Sequence, residues 1–143
     1  MRAYESFIAA RQNAQRRPFG EDEKPPADAD VAPYAFDPML ARSNAYIWSL
    51  KLQDMEFRGT PPAPHVSVTS ISLDASPWPT VILSDCLTGG KDWVAHNAKS
   101  GAALPTTTPS IAPPYRSTVT VIEFENRWGV RDIKLDSSAT CTA

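Results

Sequence analysis

The chain has 143 residues, the length of one ordinary domain, and its 42% apolar and 21% charged residues are typical of a soluble globular protein rather than a disordered one. The formal net charge of −2 at pH 7 argues against a nucleic-acid-binding protein, because such proteins normally carry a basic face. No apolar run approaches the roughly 20 residues that a membrane-spanning helix needs, and the N-terminus has no apolar core of a signal peptide.

The first 37 residues predict a short helix followed by an irregular link. Residues 1–17 are expected to form the helix. Tyr4, Phe7 and Ile8 share one of its faces, as the packed side of a surface helix requires. Residues 18–37 are rich in proline and acidic residues, which disfavour a helix and favour an extended path over the surface.

A second and longer helix is predicted over residues 38–58. Asp37 suits the N-cap, Pro38 suits the first helical position, and Gly59 suits the position just past the end. At 1.5 Å per residue this helix is about 31 Å long, which is enough to cross a small domain. We therefore expect it to fill the concave side of whatever sheet follows.

Residues 65–141 predict a strongly curved antiparallel sheet of four or more strands. The strands are expected at 65–73, 79–87, 116–125 and 128–135, and Asp92 to His96 is expected to continue the sheet. A proline- and threonine-rich loop at 105–114 separates the second of these strands from the third.

In three of the strands the apolar residues change parity part-way along. The pattern passes from Val66 and Val68 to Ile71 and Leu73, from Val119 and Val121 to Ile122 and Phe124, and from Trp128 and Val130 to Ile133 and Leu135. A slip of one residue turns the rest of a strand inside out unless an extra residue is absorbed. Each change therefore predicts a β-bulge or a local bend. Burial of both faces of a central strand is the alternative explanation.

The two cysteines bear on the cellular compartment. Cys86 follows a strand, and Cys141 lies two residues from the end of the sequence. If they pair, they close a loop of about 55 residues, which is worth about 4 kcal/mol in the chain-entropy treatment. A disulfide would indicate an oxidising compartment. Two unrelated thiols are the alternative, and the protein would then be cytoplasmic.

The order of several short motifs resembles the NTF2-like (cystatin-like) superfamily, and in particular small actinobacterial secreted or lipoprotein-type domains. The motifs are VILSDC, then a turn and Trp93, then Gly101 in a loop, and finally NRWGVRDIKL and a terminal cysteine. The resemblance covers residues 39–141, and residues 1–38 only by the placement of the helix. The long loop at 105–114 and the absence of a lipobox are departures from the pattern.

The resemblance implies an α+β domain in which N-terminal helices pack on the concave face of a curved sheet, forming a cone. It implies an extracytoplasmic domain, secreted or envelope-anchored, that is held by a Cys86–Cys141 bridge. It implies no reaction and no cofactor. Domains of this fold commonly pair through the open sheet face, so a protein partner or a homodimer is expected. A small apolar ligand is a further possibility, whereas nucleic acid is not expected.

Enzymes of the wider superfamily work inside the cone, and Asp85 is the first candidate for such a site. Asp85 has the parity of Val81 and Leu83, so its carboxylate is expected to face the core with them. It would serve as a general base, assisted by Tyr46 or His96. The alternative is a strand-end carboxylate that accepts hydrogen bonds from the following turn.

Two other features of the sequence bear on binding. Trp78, between Pro77 and Pro79, is predicted to be either an exposed anchor for a partner or a lid packed on the sheet. A zinc site is not expected, because two histidines and two cysteines that pair with each other supply too few ligands.

The sequence therefore predicts a single NTF2-like α+β domain over residues 1–143, acting as a non-catalytic binding or assembly module of the bacterial cell envelope. The first alternative is a small cofactor-free isomerase, dehydratase or cyclase that acts on an apolar molecule in the cone. The second is a structural component of a phage or surface assembly. An enzyme needs an open cavity of roughly a few hundred Å³ with converging polar groups, whereas a binding module can fill its cone with side chains.

Overall fold

The computed structural model describes residues 1–90, 92–105 and 114–142. Over these ranges two helices and a short 3₁₀ turn accompany a mostly antiparallel set of strands, so the predicted α+β class is confirmed. The elements are α1 (Arg2–Arg16), the 3₁₀ turn (Ala32–Tyr34), α2 (Met39–Leu52), β1 (Met55–Arg58), β2 (Val66–Ser72), β3 (Thr80–Leu87), β4 (Val94–Asn97), β5 (Tyr115–Phe124) and β6 (Arg127–Thr140). Most of the loop predicted at 105–114 lies outside the described residues.

The strands form two separate sheets. The larger one has the order β2-β3-β5-β6 and is antiparallel throughout, which confirms the four strands predicted from sequence. The expected extension at Asp92 to His96 is wrong, because β4 pairs with β1 in a sheet of two strands. The rings of Phe57 in β1 and Trp93, directly before β4, stack with their centroids 5.5 Å apart, which adds an aromatic contact between the two strands.

The second helix is shorter than the sequence predicted. It ends at Leu52, and Met55–Arg58 form strand β1 instead of the last helical turn. The chain reverses at Asp54, a non-glycine residue with a φ of 52°. Gly59 therefore ends a strand rather than a helix. Its φ is 102°, and a Cβ at this position would collide with the backbone carbonyl of Asp92.

Helix α1 fills the face of the large sheet that we call the inner face. The predicted first helix is confirmed, and Tyr4 and Phe7 on its apolar side are 1% and 0% exposed. They belong to one buried cluster with side chains from three strands of the sheet: Leu83, Val119, Val121 and Val130. Helix α2 contributes Ile47 and Leu50 to a second cluster around Phe19. Full burial of each large apolar side chain stabilises the fold by about 2 kcal/mol.

Two of the three predicted parity changes are bulges. The register of β2 against β3 shifts between Val68 and Ser70, so Thr69 is the extra residue. In β6, Val130 pairs with Val121 while Asp132 pairs with Thr120, which leaves Arg131 as the extra residue.

The third parity change, in β5, comes from burial of both faces of the strand and not from a bulge. Strand β5 pairs with β3 without a register shift through Val121 and Ile122, and these two residues are 4% and 3% exposed. Both faces of the central strand are therefore buried at this point. The strong curvature of the sheet and the resulting cone stay a prediction.

Candidate functional site

Asp85 lies near the end of β3 and points to the inner face, where it is 0% exposed. Its Oδ2 accepts a hydrogen bond of 2.6 Å from the Tyr4 hydroxyl, and its Oδ1 accepts one of 2.7 Å from the backbone N–H of His65. Hydrogen bonds to an ionised carboxylate are stronger than neutral ones. The carboxylate therefore ties helix α1 and the chain entering β2 to strand β3.

The alternation of β3 places Asp85 on this face. Leu83 and Asp85 both point inward and are fully buried, as their shared parity predicted. Beside Asp85 on β5 lies Ser117, which is also 0% exposed. Its hydroxyl oxygen has no hydrogen-bond partner within the part of the chain that the structure describes. The predicted bonds from the turn after Asp85 are replaced by bonds from His65 and from the helix.

Tyr4 keeps its proton in this environment. Burial raises the pKa of the Tyr4 hydroxyl well above its ordinary value, and the hydrogen bond to Asp85 and the negative charge of Asp85 raise it further. The positive charge of Arg11 lowers the pKa of Tyr4 and so opposes this effect only in part. Tyr4 is therefore a hydrogen-bond donor to Asp85 at any physiological pH.

A cavity of about 210 Å³ lies beside Asp85, between α1, residues 62–64 and the end of β3. Three polar side chains of α1 line it. Gln12 donates to the carbonyl of Pro62 (2.8 Å), Gln15 donates to the Tyr46 hydroxyl (3.2 Å), and the guanidinium of Arg11 lies 5.3 Å from the centre of the Tyr46 ring. The Nε of Arg11 is buried and has no partner among the described residues. The cavity is smaller than the roughly 300 Å³ at which pockets for drug-sized ligands begin.

The residues expected to assist Asp85 are not its hydrogen-bond partners. Tyr46 lies behind Arg11 and Gln15 on α2. His96 lies on β4 opposite Glu56, and its Nδ1 is 3.0 Å from the carbonyl oxygen of Val94. It is not among the residues that line the cavity. A catalytic role for any of these residues remains a prediction.

The partner that sequence reasoning missed is Tyr4. The sequence places Tyr4 and Phe7 on one helical face but does not by itself name an acceptor for the Tyr4 hydroxyl. A buried hydroxyl needs a hydrogen bond, and Asp85 was the carboxylate already assigned to the facing side of the sheet. Pairing these two expectations would have predicted the contact.

Cys86 and Cys141 form a disulfide with their Cα atoms 5.9 Å apart. The pairing predicted from the resemblance is therefore present in the structure. The bridge follows Asp85 directly and fastens the chain beyond β6 to β3.

Trp78 lies in a second pocket, which we call the outer aromatic pocket and define by Phe36, Trp78, Ile122, Phe124, Arg131 and Asp37. It faces away from α1, because Ile122 points to the opposite side of β5 from Val121. The Phe124 ring lies edge-on to Phe36 and Trp78, with centroids 5.8 and 6.4 Å away. The pocket has a volume of about 250 Å³. Trp78 is half-buried, so it packs on the sheet and also keeps an exposed edge.

Two arginines cover these rings. The guanidinium of Arg131 lies 4.5 Å from the centre of the Trp78 ring, and that of Arg127 lies 4.1 Å from the centre of the Phe36 ring. Phe36 comes this close to β6 because residue 129 is glycine, where a Cβ would stand 2.7 Å from the ring.

Among the described residues, no group of three or more histidine, cysteine or acidic side chains is placed to hold a metal ion. None of the helices in the same ranges is long and apolar enough to cross a membrane.

Comparisons with known proteins assign no family. No protein-family model matches the chain, and no curated protein matches it. Among solved structures, it is similar to the crystal structure of the intermembrane-space region of the chloroplast protein ARC6, at 14% identity, with 94% of each chain covered and a TM-score of 0.46. A likeness at this level assigns neither a fold family nor a function.

Proposed function

We propose that the chain is an NTF2-like domain that serves as a non-catalytic binding or assembly module of the bacterial cell envelope. Two N-terminal helices followed by a four-stranded antiparallel sheet agree with this fold. The bulges at Thr69 and Arg131 agree with a sheet that bends along its length to form the cone.

The environment of Asp85 is the observation that carries the non-catalytic proposal. A general base must reach the proton that it removes. Both oxygens of Asp85 already accept hydrogen bonds from the chain, and the side chain is 0% exposed. The space in front of the inner face is filled by Tyr4 and Phe7. In this proposal the carboxylate holds the fold together, and binding takes place elsewhere on the surface.

The cavity beside Asp85 is the observation that favours the enzyme alternative, and ligand-observed NMR separates the two functions. A library of small apolar fragments is screened against the oxidised protein, and hits are mapped by backbone amide shifts. The binding-module proposal predicts no saturable shift at Asp85, Tyr4 or Trp93. A fragment that binds there and loses affinity in Asp85→Asn, with the fold intact, would support a small cofactor-free enzyme instead.

The Cys86–Cys141 disulfide supports an extracytoplasmic site for the domain. The test is to block free thiols with an alkylating reagent at the moment of cell lysis and to weigh the chain by mass spectrometry. The proposal predicts a chain that carries no alkyl group before reduction and two after it. A chain alkylated at both cysteines before reduction would contradict the envelope location.

A further inference from the structure

The outer aromatic pocket has the composition of a protein-binding hot spot. It combines Trp78, two phenylalanines and Arg131, and a second arginine, Arg127, covers the Phe36 ring beside it. Aromatic residues and arginine are enriched where most of the binding energy of an interface is concentrated. Phe124 is 42% exposed although it lies between the other two rings. The rings therefore present apolar surface to the solvent that the fold itself does not bury.

The pocket is held in shape before any partner arrives. The Thr80 hydroxyl donates to the carbonyl of Trp78 (2.9 Å), and the Glu123 N–H donates to the carbonyl of Pro79 (3.0 Å). On the other side, the Phe36 N–H donates to the carbonyl of Val130 (2.9 Å). The backbone on both sides of the pocket is thus hydrogen-bonded to the sheet, so little conformational entropy is lost when a ligand binds.

The charge of the pocket indicates the chemistry of the ligand. Arg131 uses one nitrogen to bond the carbonyl of Asp37, and Arg127 uses one to bond the carbonyls of Ala32 and Pro33. No carboxylate of the described residues forms an ion pair with either arginine. Asp37 is the acidic residue in the lining, and its Oδ1 accepts from the Ala41 N–H. Free guanidinium N–H groups therefore remain for an external carboxylate.

The size of the pocket indicates how much of a ligand enters it. Its volume of about 250 Å³ is below the roughly 300 Å³ at which pockets for drug-sized molecules begin. It has room for one large side chain. An anchor side chain with a carboxylate next to it would meet both the rings and the arginines.

We propose that the outer aromatic pocket binds an extended segment of a protein partner, which places one large apolar side chain against Trp78 and Phe124 and an acidic side chain beside Arg131. This inference rests on the proposed binding-module function and names the chemistry of its partner. The apolar side chain supplies the buried area, and the carboxylate sets the orientation of the segment along β6.

The test uses two synthetic hexapeptides with blocked ends, Gly-Ser-Phe-Glu-Ser-Gly and the same sequence with lysine in place of glutamate. Each is titrated into the oxidised ¹⁵N-labelled chain. We expect saturable shifts of the Trp78 indole N–H and of the backbone amides of residues 122–131. The glutamate peptide should bind about fivefold more tightly, the effect of one partly exposed ion pair. Equal affinities, shifts centred elsewhere, or no saturation at millimolar peptide would overturn the proposal.

Matched variants locate the effect. Arg131→Gln keeps the pocket and should abolish the difference between the two peptides, whereas Trp78→Ala should weaken both. Arg17→Gln is the control, because Arg17 is an exposed arginine paired with Asp28 on another part of the surface, and it should change neither affinity. If Arg131→Gln leaves the glutamate preference intact, the carboxylate does not bind where we propose.

The two proposals fail separately. If the two peptides bind equally but the cysteines are oxidised in cells, the peptide-binding proposal is wrong and the envelope-module proposal is still supported. If the cysteines are free thiols in cells but the glutamate peptide binds more tightly, the envelope location is wrong and the peptide-binding proposal is still supported.

Discussion

The two faces of the large sheet treat charge in opposite ways. On the inner face, Asp85 is fully buried and both of its oxygens accept hydrogen bonds from within the chain. On the outer face, Arg127 and Arg131 lie over aromatic rings and form no ion pair with any described carboxylate. A buried charged group is tolerated only when it forms hydrogen bonds or ion pairs, so we assign the Asp85 carboxylate a structural role. The donors left free on the outer face are available to another molecule.

Breaking the disulfide gives the largest expected effect on stability. The bridge closes a sequence separation of 55 residues, and its reduction should lower the free energy of unfolding by about 4 kcal/mol. Denaturant unfolding with and without reductant measures the difference. The Cys86→Ser/Cys141→Ser double variant is the matched control for the reductant. A loss below about 1 kcal/mol would show that the fold does not depend on this bridge.

Removing the Asp85 carboxylate tests whether the inner group is structural. In Asp85→Ala the buried Tyr4 hydroxyl and the part-buried His65 N–H lose their acceptor, which should cost about 3 kcal/mol. Asp74→Ala is the control, an exposed carboxylate that should change stability by less than about 0.5 kcal/mol. Denaturation midpoints measure both variants. Equal effects would mean that the carboxylate adds nothing to the fold.

Tyr4→Phe removes one bond to that carboxylate and should cost about 2 kcal/mol at neutral pH. The pKa of Tyr4 is higher in the folded chain than its ordinary value near 10, so the folded state keeps a proton that the unfolded state loses. The stabilisation is complete below about pH 10 and declines as the pH rises further.

The measurement for Tyr4 is denaturant unfolding at pH 8 and pH 11. Wild type should lose more stability than Tyr4→Phe between these two values, so that the gap between the proteins narrows. A gap that is constant or wider at pH 11 would contradict a proton held by burial and by Asp85.

The smallest stability effect is expected on the outer face. Arg131→Gln removes one cation–π contact and one hydrogen bond at a partly exposed position, and it should cost about 1 kcal/mol or less. Thermal unfolding of Arg131→Gln and Asp85→Ala under the same conditions measures which variant loses more stability. A loss as large as that of Asp85→Ala would show that Arg131 is part of the fold, and the contrast between the two faces would disappear.

The parity of apolar residues predicted much of the large sheet. It gave four strands and an inward-facing Asp85, and at Val68/Ile71 and Val130/Ile133 it correctly indicated an extra residue. The change at Val121/Ile122 has the same pattern but comes from a central strand buried on both faces. Parity cannot separate these causes, because Trp78 and Phe36, which cover the second face, come from distant parts of the chain.

The smaller sheet was not predictable in the same way. The helix predicted over 38–58 includes Phe57, and nothing local marks Asp54 as the residue at which the backbone takes a positive φ. Phe57 leaves the helix because it stacks on Trp93, which follows 36 residues later. A contact of this range overrides local helix propensity. The grouping of Trp78 with Arg131 was hidden for the same reason.

Arg131 is the extra residue of a bulge, and this position makes sequence variation at the outer pocket inexpensive. Because it stands outside the pairing of Val130 and Asp132, its side chain can be exchanged without changing which residues of β6 face the core. Deleting it would join the pairs Val121–Val130 and Thr120–Asp132 in regular alternation, so the residues that follow in β6 would keep their facing. Residue 131 can therefore be replaced or lost while the interior of the large sheet keeps the same side chains.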